Sequence, residues 1–178
     1  MDSITDAASM NPLKLLLPSA LVLLLSLPFA GCGPASEQKV SARSQDDYQR
    51  WFSQTSDKLP PDDARILQTA QQEIRLEIMA HSDAKGAEAI GDAFRQKVDG
   101  LTVRQMMALG LKDRIARLKA EHDEAQKLYD DNSKIQTKPG DEASAAYVST
   151  RVQEDLHRAQ KSAADLAATQ ADLDRINK

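Results

Sequence analysis

Cys32 is the residue of this chain whose type and setting point most directly to a chemistry, and it is the only cysteine in 178 residues. It follows Pro28-Phe29-Ala30-Gly31. The small side chains of Ala30 and Gly31 leave a backbone that fits a peptidase groove, so cleavage is expected between Gly31 and Cys32. That cut would leave Cys32 as the first residue, with its amine and its thiol both open to modification. No intrachain disulfide competes for the thiol. The alternative is ordinary cleavage near Ala30 or Ala35, which leaves a free thiol.

The residues in front of Cys32 favour the first course. Residues 15–30, LLLPSALVLLLSLPFA, are uncharged and follow Lys14. The run is short for a spanning helix, which needs roughly 20 apolar residues. Pro18 and Pro28 interrupt it further. Residues 1–31 therefore read as a secretory signal. Its opening, MDSITDAAS, holds two aspartates and no base, which makes Met10 the better start. Behind such a signal, residues 29–32 resemble the bacterial lipobox, with Phe29 where leucine is usual. The resemblance implies a palmitate-type lipid on Cys32 and no other cofactor. Because Gly33 rather than aspartate follows the cysteine, it also implies sorting to the outer membrane, facing the periplasm. Each buried CH₂ contributes ~0.8 kcal/mol, so several acyl chains anchor stably.

Other chemistry is hard to find. There is no Gly-rich phosphate loop, no H-E-x-x-H helix and no nucleophile elbow. His122 and His157 could approach across a helical pair, but with too few ligands for zinc, so no metal site is expected; His81 stands apart. Asp62-Asp63 fits a helix start and Asp130-Asp131 a solvated face. Net charge is −4 with both signs mixed along the chain, which excludes the basic footprint of a nucleic-acid binder. The expectation is a protein that is not an enzyme.

The elements that must carry any interaction are helical. Hydrophobic residues make up 41% of the chain, aromatics 4%, and mean hydropathy is −0.51. That balance suits narrow apolar helix stripes better than β-sandwich strands, so the fold class is all-α. Residues 32–44 are small and polar and read as a flexible tether; residues 45–178 read as one helical domain. A first helix opens near Ser44 and stops at Lys58-Leu59-Pro60-Pro61. It places Tyr48, Trp51 and Phe52 on one face, as core anchors or as a partner-contact patch. A second helix spans about 61–80, with Ile66, Ala70, Ile74 and Ile78 spaced by four. A third spans about 87–98. Asp99-Gly100 turns the chain, and Thr102 with Gln105 forms a capping box for a long fourth helix ending near 134.

That helix carries a heptad stripe at Ala108, Leu111, Ile115, Leu118, His122, Ala125 and Tyr129. Beyond the Lys138-Pro139-Gly140 loop, a second stripe runs through Ala145, Ser149, Val152, Leu156, Ala159, Ala163, Leu166, Gln170 and Leu173. The pair predicts a coiled-coil-like antiparallel hairpin over 102–178, with His122 near Leu156, Leu118 near Ala159 and Leu111 near Leu166. The shorter helices would pack on its open end through Met106, Met107 and Leu109.

Lys58-Leu59-Pro60-Pro61 and Asp99-Gly100-Leu101-Thr102, together with the lipobox, resemble a helical family of small Gram-negative lipoproteins of unknown function. Leu101 stands where that family has lysine, and residues 136–178 extend beyond the shared region, about 15–130. The resemblance implies no activity. The expectation is a membrane-anchored structural or interaction protein. It would act through a protein partner or self-association at the hairpin. The alternative is a periplasmic inhibitor or chaperone-like module using the Tyr48, Trp51 and Phe52 face.

Overall fold

The computed structural model describes residues 34–178, so the signal segment, Gly31 and Cys32 lie outside the described residues. Five α-helices follow one another: α1 Gln45–Ser56, α2 Pro61–His81, α3 Gly86–Val98, α4 Val103–Asn132 and α5 Glu142–Ile176. The all-helical class is as expected, and no strand occurs among the described residues.

The helix ends lie where the local chemistry dictates. Ser44 Oγ accepts from Asp47 N–H at 3.1 Å and caps α1. Pro61 opens α2, where its missing N–H would be unpaired anyway, and Asp62 and Asp63 fill the first turn. The α3–α4 turn needs a left-handed residue, and Gly100 supplies φ 79°. Both arms of the capping box then start α4. Gln105 N–H donates to Thr102 Oγ1 at 3.1 Å, and Thr102 N–H to Gln105 Oε1 at 2.8 Å.

The expected tether is corrected by the structure. Ala35–Glu37 form a 3-10 turn, and the next residues dock along the α3–α4 turn. Val40 N–H donates to Leu101 O at 2.7 Å, Gly100 N–H to Val40 O at 3.0 Å, and Val103 N–H to Gln38 O at 2.9 Å. Asp99 accepts from Ala42 N–H at 2.7 Å. Val40 and Ala42 are buried. Backbone pairing and two small apolar side chains hold this segment, which hydrophobic periodicity does not register.

The core gathers Ile66, Leu67 and Ile74 of α2, Phe94 and Val98 of α3, and Val103, Met106, Met107 and Leu111 of α4. Leu173 and Ile176 at the end of α5 join it. α2 crosses α4 at the closest approach that backbones allow. A Cβ built on Gly110 would stand 2.3 Å from Ala70 Cα and 2.6 Å from its carbonyl oxygen.

α4 and α5, 30 and 35 residues long, are about 45 and 50 Å by helical rise. Their contacts run in opposite directions: Arg104 to Ile176, Arg114 to Thr169, His122 to Ala159, and Asn132 to Asp155. The stripe expected on α4 is the buried or half-buried one from Leu111 to Tyr129. On α5 part of the expected stripe is replaced. Val152, Leu156, Ala159, Leu166 and Leu173 are buried or half-buried, but the track beside them is Asp155, Ser162, Thr169 and Ile176. Ala163 and Gln170 are exposed. The expected register shifts accordingly, and His122 meets Ala159 and Ser162 rather than Leu156. Two forces set this alignment: docking of Leu173 and Ile176 in the core, and polar pairing along the new track.

Gly110→Ala is expected to destabilise the fold by about 1–3 kcal/mol or more, since the added methyl meets backbone rather than a movable side chain. Adding Ala70→Gly leaves the clash with the α2 backbone and should not restore stability. Urea denaturation of the single and double variants checks both statements.

Candidate functional site

The residues singled out for contact with a partner are largely interior. Tyr48 is 2% exposed and Trp51 5%, and Phe52 is half-buried against the same core. Tyr48 meets Phe94 edge-on, with ring centroids 5.2 Å apart, and lies 5.7 Å from Trp51. Of the two readings of this face, Tyr48 and Trp51 are core anchors, while Phe52 packs on the core and keeps one side open to the groove between α1 and α2. The reason is packing: the Tyr48 and Trp51 rings fill volume together with Phe94 of α3. Burial pushes the Tyr48 phenol far above its ordinary range, with the Arg75 charge opposing. Cys32 and Gly31, the lipidation and cleavage positions, lie outside the described residues.

The polar features that the structure does bring together centre on Glu73, a carboxylate only 5% exposed on the inner face of α2. Arg117 of α4 grips it in a fork. Nε donates to Glu73 Oε2 at 2.9 Å and Nη2 to Oε1 at 2.7 Å. Arg114, one turn earlier, reaches Glu73 at 3.4 Å and donates through Nε to Thr169 Oγ1 of α5 at 3.2 Å. One carboxylate thus ties α2, α4 and α5 together. Donation to the Glu73 carboxylate is the largest influence holding the Arg117 guanidinium above its ordinary range. Sequence inspection passed over Glu73, which sits between Ala70 and Ile74 in an apolar stripe. An acid on a buried face, with two arginines three residues apart on a later helix, was the available signal.

A second polar series follows the α4–α5 seam. His122 donates through Nδ1 to Ala159 O at 3.0 Å, and Asn132 Nδ2 donates to Asp155 Oδ2 at 2.6 Å. Asp155 is fully buried and its Oδ1 has no hydrogen-bond partner among the described residues. Its seven-residue spacing from Ser162 and Thr169 was legible, but apolar counting favoured Leu156 and Ala163. His157 is exposed, and His81 pairs with Glu77 at 3.1 Å. Among the described residues no three His, Cys, Asp or Glu side chains are placed to hold a metal ion.

These arrangements are ones that hold helices in register. The α5 segment before Asp155 is the most open part of the pair: Tyr147 is 67% exposed, and Ile135 in the preceding loop 50%. Asp113 of α4 is poorly served. Its Oδ2 is buried without a hydrogen bond, and Lys97 lies 3.9 Å away. Burial raises its carboxyl above the ordinary value, Lys97 lowers it, and Glu77 and Glu73 raise it further.

No family model, curated protein or solved structure matches this chain.

Two substitutions test these electrostatics. Glu73→Ala should destabilise by about 2–3 kcal/mol, less than for a fully buried pair because both arginines can turn to solvent. Chemical denaturation measures it. Asp113 binds a proton more tightly folded than unfolded, so its contribution is favourable at acid pH and is lost as pH rises from the ordinary carboxylate value through the raised one. Asp113→Asn should therefore stabilise the protein at pH 7 and reduce the fall in stability between acid and neutral pH, as thermal melts across that range would report.

Proposed function

We propose that this chain is a bacterial lipoprotein held in the cell envelope by acyl chains on Cys32, and that its helical body serves a non-enzymatic structural or interaction role there. The observation that carries the reading is the uncharged run at residues 15–30 ending in Phe29-Ala30-Gly31-Cys32, with no second cysteine. Processing leaves Cys32 first, and the lipid attaches the protein to the outer membrane, on its periplasmic side. The likeness of Lys58-Leu59-Pro60-Pro61 and Asp99-Gly100-Leu101-Thr102 to small Gram-negative lipoproteins supports the same assignment. No helix among the described residues is long and apolar enough to cross a membrane.

In this reading α4 and α5 act as a coiled-coil-like hairpin. Its polar seam and the Glu73 fork hold one end, and the α5 segment around Tyr147 offers contact area to a protein partner or a second copy. The burial of Tyr48 and Trp51 favours this reading over the rival one, an inhibitor or chaperone-like module using Tyr48, Trp51 and Phe52.

Metabolic labelling with a palmitate analogue, followed by membrane fractionation, tests the anchor. The wild type should incorporate label and sediment with membranes, and Cys32→Ser should do neither. Unchanged sedimentation of an unlabelled Cys32→Ser protein would sink the proposal. Cross-linking in envelope fractions tests the interaction role; a strictly monomeric protein with no adduct would count against it.

A further inference from the structure

The groove between α1 and α2 differs in chemistry from two others on the described surface, one lined by Glu121, Glu124 and Asp165 and one by Asp165 and Asp172. The chain holds 27 acids and 28% charged residues, yet no aspartate or glutamate lines this groove. Five glutamines do: Gln45 and Gln49 from α1, and Gln68, Gln71 and Gln72 from α2. The chain has fourteen glutamines, so more than a third converge on one cavity of about 410 Å³. Helical spacing explains how: 45, 49 and 68, 72 are i,i+4 pairs on facing stripes. A single cation, Arg75, stands at the next turn of α2.

The wall adds rings and unsatisfied polar atoms. Tyr48 and Phe52 line the groove, and the Arg75 guanidinium lies 4.8 Å from the centroid of Phe94. Arg75 Nε and the Tyr48 hydroxyl are buried with no hydrogen-bond partner among the described residues, and Arg75 makes no ion pair among them. Gln45 is already oriented, since its Oε1 accepts from Arg95 Nη1 at 3.1 Å.

We propose that this groove binds a sugar bearing a carboxylate. Each glutamine amide offers two donors and an acceptor, which matches the mixed donor and acceptor character of vicinal hydroxyls. Phe52 gives the apolar face of a pyranose ring something to cover. Arg75 meets the carboxylate, a pairing its planar fork favours. An acidic lining would repel such a ligand and is lacking here. A cationic ligand fits poorly, because Arg75 is the only charge present. The assignment is independent of the lipid anchor.

Isothermal titration of the full chain in detergent tests it, with N-acetylmuramate as probe and N-acetylglucosamine as its counterpart lacking the carboxylate. Saturable binding is expected, with N-acetylmuramate favoured about tenfold or more, the effect of one charge-assisted contact. Arg75→Gln should erase that preference while leaving the weaker binding of N-acetylglucosamine in place. Because Arg75 also packs on Phe94, the exposed pair Gln68→Ala and Gln72→Ala provides a fold-neutral check, expected to weaken both sugars without changing the thermal melt. Failure of both sugars to saturate overturns the proposal, as does equal affinity for the two. Tighter binding of an acidic tripeptide than of N-acetylmuramate would assign the groove to peptides instead and overturn it as well.

Discussion

The crossing of α2 over α4 at Ala70 and Gly110 is the constraint from which the remaining geometry follows. With no side chain on one partner and a methyl on the other, two backbones come within direct contact. That separation lets Glu73, three residues after Ala70, reach Arg114 and Arg117 on α4. A wider crossing would lengthen those hydrogen bonds and admit water around a carboxylate that is now enclosed. It would also open the layer of Ile66, Leu67 and Met107. Close approach and buried charge therefore belong to one arrangement, in which steric permission comes first and electrostatics acts within it.

The same interdependence governs α5. A seam with Asp155, Ser162 and Thr169 at every seventh position is weak in hydrophobic terms, yet it tolerates few alternative alignments. Sliding α5 by one turn would move Thr169 from Arg114, Ser162 from His122 and Asp155 from Asn132 together. Polar positions in a helical interface commonly trade affinity for a defined register. Here the trade is offset at one end, where Leu173 and Ile176 enter the main core and Asp63 and Arg65 of α2 pair with Arg175 and Asp172. The opposite end has no such support, which agrees with the exposure of Tyr147.

Much of this was legible in the sequence because it is local. Ser44, Pro61, Gly100 and the Thr102–Gln105 box act within a few residues, so helix limits could be read closely. The α4 stripe was legible because apolar residues mark it. What escaped depends on partners distant in sequence. Val40 and Ala42 are held by the α3–α4 turn some sixty residues away, and a composition of small polar residues looks the same docked or loose. The α5 track was misread in part because counting apolar residues credits Ala163, which is exposed, whereas the interface buries Asp155 and Ser162 with their hydrogen bonds. The aromatic face could be found but not assigned, since helical spacing is the same for a core and for a docking patch.

The pairing of residues 38–42 with the α3–α4 turn also has a mechanical side. Any tension on the chain just ahead of Gln38 meets the Glu37–Arg104 ion pair and then the hydrogen bonds joining Gln38 to Val103 and Val40 to Gly100 and Leu101. These bonds lie side by side in a short antiparallel bridge, so a pull along the segment loads them in shear, sharing the force instead of breaking them in turn. The load passes into the start of α4, which packs against α2 and α5, and α1 is shielded from it. A segment that looks like a leash in composition is thus the strain relief of the fold.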